Sequence, residues 1–281
     1  MGPARPKTFE GISQYRPPLC FELAGRKFEL VMDDGYDYEL DLFDRKTLKY
    51  GLKGSRLKEY AYDCLKADDD FYFVNFEVTG AVPRTGISII LDLEQDLVTE
   101  NRCTVGQNPK YPRMVKPNII FGAIRREDGS LNKLRHGFTG DFVGHSICWH
   151  YGPMAAVHVY SSERYYRVTV PRDNSTESPE SREFHENFRK KIGNSLYEEP
   201  AEYIKIKDGI YAFSMNEEMA NRMRGQGNNL FFLMNVRRMY DVGRSFGHRE
   251  NGEPENYTMG AFGEFYDADE LMKRKSTEYI R

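Results

Sequence analysis

A glutamate at the end of an apolar strand is the first candidate for chemistry. Glu217 ends the segment YAFSMNE (211–217), in which most of the other residues are apolar or aromatic. A carboxylate that faces a cavity is desolvated, so its pKa rises and it can act as a general acid or base. The alternative is that Glu217 begins a solvent-exposed turn or short helix, and the sequence leaves both open.

Aromatic residues earlier in the chain could form the walls of a pocket around such a carboxylate. Trp149 and Tyr151 lie two apart in CWHYG, so their side chains share one face of a strand. Tyr166 and Arg167 lie on a nearby predicted strand. Aromatic walls would stack on a planar ring, and the guanidinium would hold a carboxylate through a bidentate fork. The alternative is an ordinary aromatic core.

One histidine completes the set of catalytic candidates, which is Glu217, Tyr151 and His158. His158 lies in the apolar strand AAVHVY, which makes it a candidate for the pocket. The alternative is a structural role, because single histidines on strands are more often hydrogen-bonded structural residues. No histidine pair has a spacing typical of metal ligands, and the four cysteines form no CxxC motif. Phosphate-binding loops and GxSxG elbows are also absent from the sequence. We therefore expect neither a metal site nor another cofactor.

Composition narrows the class of protein. The chain has 281 residues, a formal charge of −3, 40% hydrophobic and 30% charged residues, which is typical of a soluble globular protein. The charge argues against nucleic-acid binding, and no apolar run is long enough for a membrane helix. The first ten residues, MGPARPKTFE, contain no apolar signal core. We expect a reduced, cytoplasmic protein that binds a small aromatic or hydrophobic ligand, with a homodimer left open.

Short alternating segments separated by turns predict an all-β fold. RKFELV and YDYELDLF flank an Asp-Gly turn, as in a hairpin, and more short strands follow at close spacing. Such a series indicates a barrel or sandwich. The polar segment 125–137 is interpreted as a linker, after which the strand pattern begins again. Short helices are predicted at 182–192 and 267–275.

The two halves of the chain resemble each other. Each begins a hairpin at a glycine, Gly25 or Gly144, and later runs from an aromatic residue into a glutamate, Glu77 or Glu217. We therefore predict two tandem antiparallel β-barrels, residues 1–128 and 129–281. Eight or so strands would close into a barrel that holds one small ligand. Glu77 becomes a candidate substrate-binding residue of the first barrel, beside Trp149, Tyr166 and Arg167 of the second.

The second half contains five characteristic motifs, which are HGFTGDFVG (136–144), CWHYGP (148–153), VHVY (157–160), DGIYAFSMNE (208–217) and DVGRSFG (241–247). With these motifs it resembles the C-terminal domain of MoaF-like proteins, and the first half resembles the matching N-terminal domain. The resemblance implies a lipocalin-like (calycin) barrel for each half. It implies no particular activity.

The chain is also distantly similar to phenolic acid decarboxylases, which are cofactor-free, lipocalin-like enzymes. Their two hairpin tyrosines correspond here to Trp149 and Tyr151, and their glutamate corresponds to Glu217. In the first half the same positions are Leu30 and Met32, with Glu77. The resemblance implies a pocket with one carboxylate and one phenol in the second half.

The leading interpretation is a cofactor-independent enzyme that acts on a small aromatic or conjugated substrate by acid/base chemistry. Decarboxylation, hydration or dehydration, and isomerisation are open to such a site, which makes the protein a lyase or isomerase. A non-catalytic lipocalin-like protein that only binds a small molecule is the main alternative. A structural or assembly role with filled pockets is the third.

Overall fold

The computed structural model describes residues 15–107, 109–152, 155–169, 183, 186, 197–217, 227–249 and 251–266. Among these residues the regular structure is almost entirely antiparallel sheet. The strands form two closed eight-stranded barrels in tandem, as the sequence predicts. No helix in the described part of the chain is long and apolar enough to cross a membrane.

The first barrel is an up-and-down arrangement that closes where the last strands return to the first. Neighbouring strands pair in chain order from β1 to β7, and β9 closes the barrel by pairing with both β7 and β1. The short β8 pairs with β7 outside the ring. The strands are β1 (Lys27–Met32), β2 (Asp37–Asp41), β3 (Thr47–Leu52), β4 (Lys58–Asp68), β5 (Phe71–Val78), β6 (Thr85–Asp92), β7 (Leu97–Val105), β8 (Val115–Lys116) and β9 (Ile119–Ile124).

The second barrel repeats this order of pairing. It runs from β11 to β18, and β18 closes the ring against β11, while β10 adds to the edge of β14. The strands are β10 (Gly137–Phe138), β11 (Ser146–His150), β12 (Ala155–Val159), β13 (Tyr165–Thr169), β14 (Tyr197–Lys207), β15 (Ile210–Asn216), β16 (Asn229–Asn235), β17 (Tyr240–His248) and β18 (Pro254–Phe265). The expected domain boundary at 128/129 lies between β9 and β10.

Alternating burial explains why the N-terminal hairpin folds as it does. In β1 and β2 the side chains of Phe28, Leu30, Met32, Tyr38 and Leu40 are buried, whereas those between them are less buried. Every second residue of a strand points to the same face, so these five line the inside of the barrel. They belong to one core cluster with inward residues of β3 to β7 and of β9.

Where the two barrels pack together, the strands are buried on both faces. In β5 the burial pattern is BBBBBBii, because Tyr72, Val74 and Phe76 face the interior while Phe71 and Phe73 face the second barrel. The rings of Phe73 and Phe231 lie 5.8 Å apart across this interface. A strand that is covered on both sides reads as a continuous apolar run, as FYFVNF and LFFLM do. The two barrels therefore share one apolar interface.

Both predicted helices fall largely outside the described residues. Of 182–192 only Glu183 and Glu186 are described, and both are helical. The segment 267–275 lies wholly outside the described residues.

Candidate functional site

Four of the predicted site residues face the interior of the second barrel. Trp149, Tyr151 and Tyr166 are buried members of its core cluster. His158 is also buried, and its ring lies 5.0 Å from that of Tyr166. The structure therefore brings these side chains together, as the spacing on β11 and the apolar character of β12 indicate.

Tyr151 has a carboxylate partner that sequence reasoning missed. Its hydroxyl donates a hydrogen bond to Asp241 Oδ2 at 3.3 Å, and Asp241 Oδ1 accepts one from the backbone N–H of Ala261 at 2.7 Å. Burial raises the pKa of Asp241 well above its usual value, although both of these hydrogen bonds oppose the shift. In RRMYDVG the aspartate stands one residue after Tyr240, and strand alternation was the available signal that it faces inward.

His158 is held neutral by its surroundings. Burial lowers the pKa of its imidazole to about 3, and its Nδ1 atom has no hydrogen-bond partner. A neutral imidazole with one unused nitrogen can donate or accept one hydrogen bond, depending on its tautomer.

Glu217 lies at the end of the second barrel where β15 stops. Its side chain is half-buried, and its backbone N–H donates to Asn228 O at 3.0 Å. Ala201 pairs with Met215 in the register of β14 and β15, so the same register places Glu199 opposite Glu217. Glu199 is fully buried. The extended register therefore places a second glutamate position at this rim, where the sequence predicted one.

The opposite end of the second barrel is closed by aromatic rings. Phe142 lies 4.8 Å from Tyr160, 6.0 Å from Tyr203 and 4.8 Å from Tyr211, measured between ring centroids. Trp149 donates its indole N–H to the Tyr160 hydroxyl at 3.1 Å. Contacts of this kind are typical of a packed aromatic core.

Arg167 does not face the interior of the second barrel, contrary to the prediction that it lines a pocket there. Its neighbours Tyr166 and Val168 pack against the interior cluster, so alternation turns Arg167 outward. Its side chain is 50% exposed, and its Nε donates to Glu198 Oε1 at 3.3 Å. The residue therefore lies on the outer surface of β13.

Glu77 likewise does not face the interior of its barrel. Its two oxygens accept hydrogen bonds from Arg84 Nε and Nη2, both at 2.7 Å. Arg84 also donates to the backbone carbonyls of Gly247 and Glu255, so the pair joins the two barrels. Glu77 shares its strand face with Phe71 and Phe73, which point to the second barrel, and this is why it cannot correspond to Glu217.

The matching of Glu77 with Glu217 was wrong by one residue. Phe71 and Ile210 begin equivalent strands, since Phe71 pairs with Asp92 and Ile210 with Asn235. Counting from these positions, Glu77 corresponds to Asn216. A shift of one residue in a strand moves a side chain to the other face of the sheet.

A cluster of charged and polar side chains lies inside the first barrel. Tyr50 donates its phenol to Glu100 Oε2 at 2.7 Å, and Arg102 Nε donates to Glu100 Oε1 at 2.7 Å. The Arg102 guanidinium lies 5.2 Å from the centre of the Tyr38 ring, which stacks on Tyr50 with centroids 5.3 Å apart and an interplanar angle of 3°. We call these four residues the Tyr–Glu–Arg cluster.

Burial sets the protonation of the Tyr–Glu–Arg cluster. Glu100 is completely buried, and desolvation raises the pKa of its carboxyl although Arg102 opposes the shift. Burial, followed by the charge of Glu100, raises the pKa of Tyr50 well above its usual value. Arg102 is 27% exposed, so the cluster reaches solvent through its guanidinium.

Sequence reasoning missed Glu100 and Arg102 because charged residues are normally assigned to the surface. In VTENRCTV the alternation places Val98, Glu100 and Arg102 on one face, and Val98 is an interior residue. The intervening Thr99 and Asn101 contact His136 and Asn229 on the other side of the strand. Both faces of β7 carry polar groups, so hydrophobicity alone does not show which is the inside.

Comparison with known families places a match on the first barrel. The family model of the MoaF N-terminal domain matches residues 8–105, a span that includes the whole Tyr–Glu–Arg cluster. The chain is similar to the MoaF-like family. Among curated proteins none matches it significantly. The similarity to phenolic acid decarboxylases stays a prediction.

Among the described residues, one group of side chains has the geometry to hold a metal. Cys148, His150 and Glu264 lie on the outer surface of the second barrel, with one ligand atom each within 4.8 Å of the others.

Proposed function

We propose that this MoaF-like protein is a cofactor-independent enzyme that acts on a small aromatic or conjugated acid by proton transfer. The observation that supports the proposal is the contact of Tyr50, Glu100 and Arg102 inside the first barrel. Reactions open to this set are those of a lyase or isomerase: decarboxylation, hydration or dehydration, and isomerisation. The site therefore moves from the second barrel, where the sequence favoured it, to the first.

Arg102 would bind the carboxylate of the substrate. Its partial exposure lets a ligand reach it, and a guanidinium pairs with a carboxylate through two parallel hydrogen bonds. The parallel rings of Tyr38 and Tyr50 would pack against the planar part of the substrate, since aromatic faces stack on planar conjugated groups.

Glu100 would exchange the proton. A carboxyl whose pKa is raised by burial can hold a proton closer to neutral pH than an exposed one, and can therefore act as acid and then as base. The Tyr50 hydroxyl, already bonded to Glu100, provides a second position for the same proton. Decarboxylation by this route would break the bond between the carboxylate and its carbon, release CO₂ and transfer a proton from Glu100 to that carbon, after which Glu100 would take up a proton from water.

The test compares two isosteric variants, one in each barrel. Purified protein is incubated with a panel of hydroxycinnamic and related aromatic or conjugated acids, and consumption is followed by ultraviolet absorbance. Glu100→Gln should lower turnover about 10²- to 10⁴-fold, the usual contribution of a general acid or base. Glu217→Gln is the matched control and should retain turnover. Circular dichroism checks that both variants fold.

Two results would contradict the proposal. Loss of turnover in Glu217→Gln with full turnover in Glu100→Gln would place the chemistry in the second barrel. Absence of turnover in the unmodified protein across the panel would mean that the protein does not catalyse a reaction of this class.

A non-catalytic small-molecule binder is the second candidate. The observation in its favour is the aromatic interior of the second barrel, with the neutral His158 whose Nδ1 lacks a partner. Trp149 is the only tryptophan of the chain and lies in this interior. A saturable, stable change in its fluorescence with a neutral aromatic compound would support this role, and a flat response across the panel would count against it.

A cytoplasmic location is part of the proposal. None of the four cysteines Cys20, Cys64, Cys103 and Cys148 takes part in a disulfide, which suits a reducing compartment. Cell fractionation tests this point, and recovery of the protein outside the cytoplasm would overturn it.

A further inference from the structure

Three potential metal ligands meet on the outer face of the second barrel. Cys148 and His150 are two residues apart on β11, so both point to the same face, opposite to Trp149. In the register of β11 and β18, Glu264 stands directly opposite Cys148. Cys148 is buried, His150 is partly buried, and the Glu264 side chain is 67% exposed, so a small ion could enter past the glutamate.

Cys148 and Glu264 both contact the same ring nitrogen of His150. Cys148 Sγ lies 3.7 Å from His150 Nε2, and Glu264 Oε1 lies 3.1 Å from that same nitrogen. A neutral imidazole nitrogen is either a donor or an acceptor, so Nε2 cannot donate to the carboxylate and accept from the thiol at the same time.

This geometry does not fit a nucleophile relay. In a Cys–His–carboxylate relay the cysteine and the acid occupy different ring nitrogens, because the histidine carries the proton from one side while the acid orients the other. Here sulfur, nitrogen and oxygen converge on one point.

The spacing of the three atoms agrees with ligands around one tetrahedral ion. Bond lengths of about 2.3 Å for Zn–S and about 2.0 Å for Zn–N place sulfur and nitrogen roughly 3.5 Å apart at a tetrahedral angle. The corresponding nitrogen–oxygen separation is roughly 3.4 Å. The observed 3.7 Å and 3.1 Å lie close to these values. Thiolate, imidazole and carboxylate are also the donors that zinc accepts.

We propose that Cys148 Sγ, His150 Nε2 and Glu264 Oε1 bind one Zn²⁺ on the outside of the second barrel. Water takes the fourth position, since three protein ligands leave a tetrahedral zinc one vacancy. Binding replaces the thiol proton of Cys148, so affinity falls as the pH is lowered. The site is separate from the Tyr–Glu–Arg cluster and does not depend on the proposed reaction.

The test uses the full chain and two metals. Zn²⁺ is titrated in competition with a chromophoric chelator, and one equivalent is expected to bind. Co²⁺ is then added in place of Zn²⁺, and a thiolate-to-cobalt charge-transfer band in the near ultraviolet is expected, because it reports a metal–sulfur bond.

Variants assign the ligands. Cys148→Ser should remove the charge-transfer band, and Glu264→Gln should keep the band but weaken Zn²⁺ binding by at least about tenfold, the lower end of what even indirect contacts to a metal contribute. Glu264 is exposed, so its replacement leaves the fold intact even if Cys148→Ser destabilises it. Cys20→Ser, which changes another cysteine, is the matched control and should leave both measurements unchanged.

Failure to bind one equivalent of Zn²⁺ would overturn the proposal. So would a cobalt spectrum that keeps its charge-transfer band in Cys148→Ser or loses it in Cys20→Ser, and so would unaltered Zn²⁺ affinity in Glu264→Gln.

Discussion

The two barrels have the same strand order but different interiors, and one strand accounts for most of the difference. The seventh strands are β7 and β17, and their registers match because Leu97 pairs with Asp92 and Tyr240 with Asn235. The inward residues are Val98, Glu100 and Arg102 in the first barrel and Asp241, Gly243 and Ser245 in the second.

Gly243 shows how one position changes the use of a barrel. It corresponds to Glu100, and a Cβ at Gly243 would lie 2.6 Å from a ring carbon of Phe232. Phe232 in turn corresponds to Ile89, which pairs with Glu100. The second barrel thus fills with an aromatic ring the space where the first holds a carboxylate. The same backbone position therefore accommodates either a buried carboxylate or an aromatic ring packed over a glycine.

The charged side chains inside the two barrels also have different partners. The first barrel balances a buried carboxylate with a guanidinium inside the ring. Among the described residues, the only fully buried arginine is Arg244, and it faces the first barrel, where its Nε bonds Ser88. In the second barrel Asp241 is bonded to a phenol and not to a cation.

The largest effect on stability is expected from breaking the ion pair between Glu100 and Arg102. Arg102→Met leaves Glu100 buried without its cation, which should lower the free energy of unfolding by about 3 kcal/mol, the lower end for such pairs because Arg102 is partly exposed. Urea unfolding followed by circular dichroism measures the change. Adding Glu100→Gln removes the unpaired charge and should recover part of the loss. A double variant as unstable as Arg102→Met would show that the charge is unimportant.

A methyl group at Gly243 should lower the free energy of unfolding by nearly as much. Gly243→Ala places a Cβ 2.3 Å from the backbone oxygen of Phe231, so strand β16 must shift, at an expected cost of up to about 3 kcal/mol. Gly137→Ala is the matched control, because a Cβ there meets no atom within 4 Å. Equal urea midpoints for the two variants would mean that the second barrel is not closely packed at Phe232.

The smallest effect concerns pH. His158 is neutral when folded because its pKa is about 3, but it is protonated below about pH 6.5 when unfolded. The unfolded state therefore binds more protons in this window, and stability falls as the pH decreases through it. From pH 7 to pH 5 the contribution of His158 is about 2 kcal/mol. His158→Phe keeps the ring contacts and should make stability less dependent on pH, as measured by urea unfolding at both values. An unchanged pH dependence would contradict the buried neutral imidazole.

Much of the fold could be predicted from the sequence. Alternation in RKFELV and YDYELDLF indicates the first hairpin, and the repeated glycine starts at Gly25 and Gly144 indicate two units. Trp149, Tyr151 and Tyr166 lie in one core cluster, as the alternation on their strands predicts, whereas their role as the wall of a pocket stays a prediction. These inferences succeed because period-two alternation is a local property of a strand.

The candidate site was harder to predict. Glu77 and Glu217 both follow an aromatic and apolar run, yet one faces the other barrel and the other belongs to the interior face of its strand. The runs FYFVNF and LFFLM are buried on both sides, so their sequences do not show which face is inside. Arg102 and Asp241 were assigned no role because the cost of burying a charge favours the surface unless a partner is present. Asp241 is bonded to Tyr151 of a strand distant in sequence, and the carboxylate beside Arg102 is bonded to Tyr50 of the distant strand β3.

The sequence by itself therefore determined the class of fold, the number of barrels and the position of the hairpins, since these depend on patterns within a few residues. The tertiary structure decided which side of each strand faces the interior, which charged side chains contact each other, and which potential metal-ligating side chains lie close together. Closure of the barrel joins β7 to β6 and β9, and packing of the barrels covers the outer faces of β5 and β16. Tyr50 reaches Glu100, and Cys148 reaches Glu264, only because strands far apart in the chain lie side by side or across a closed barrel.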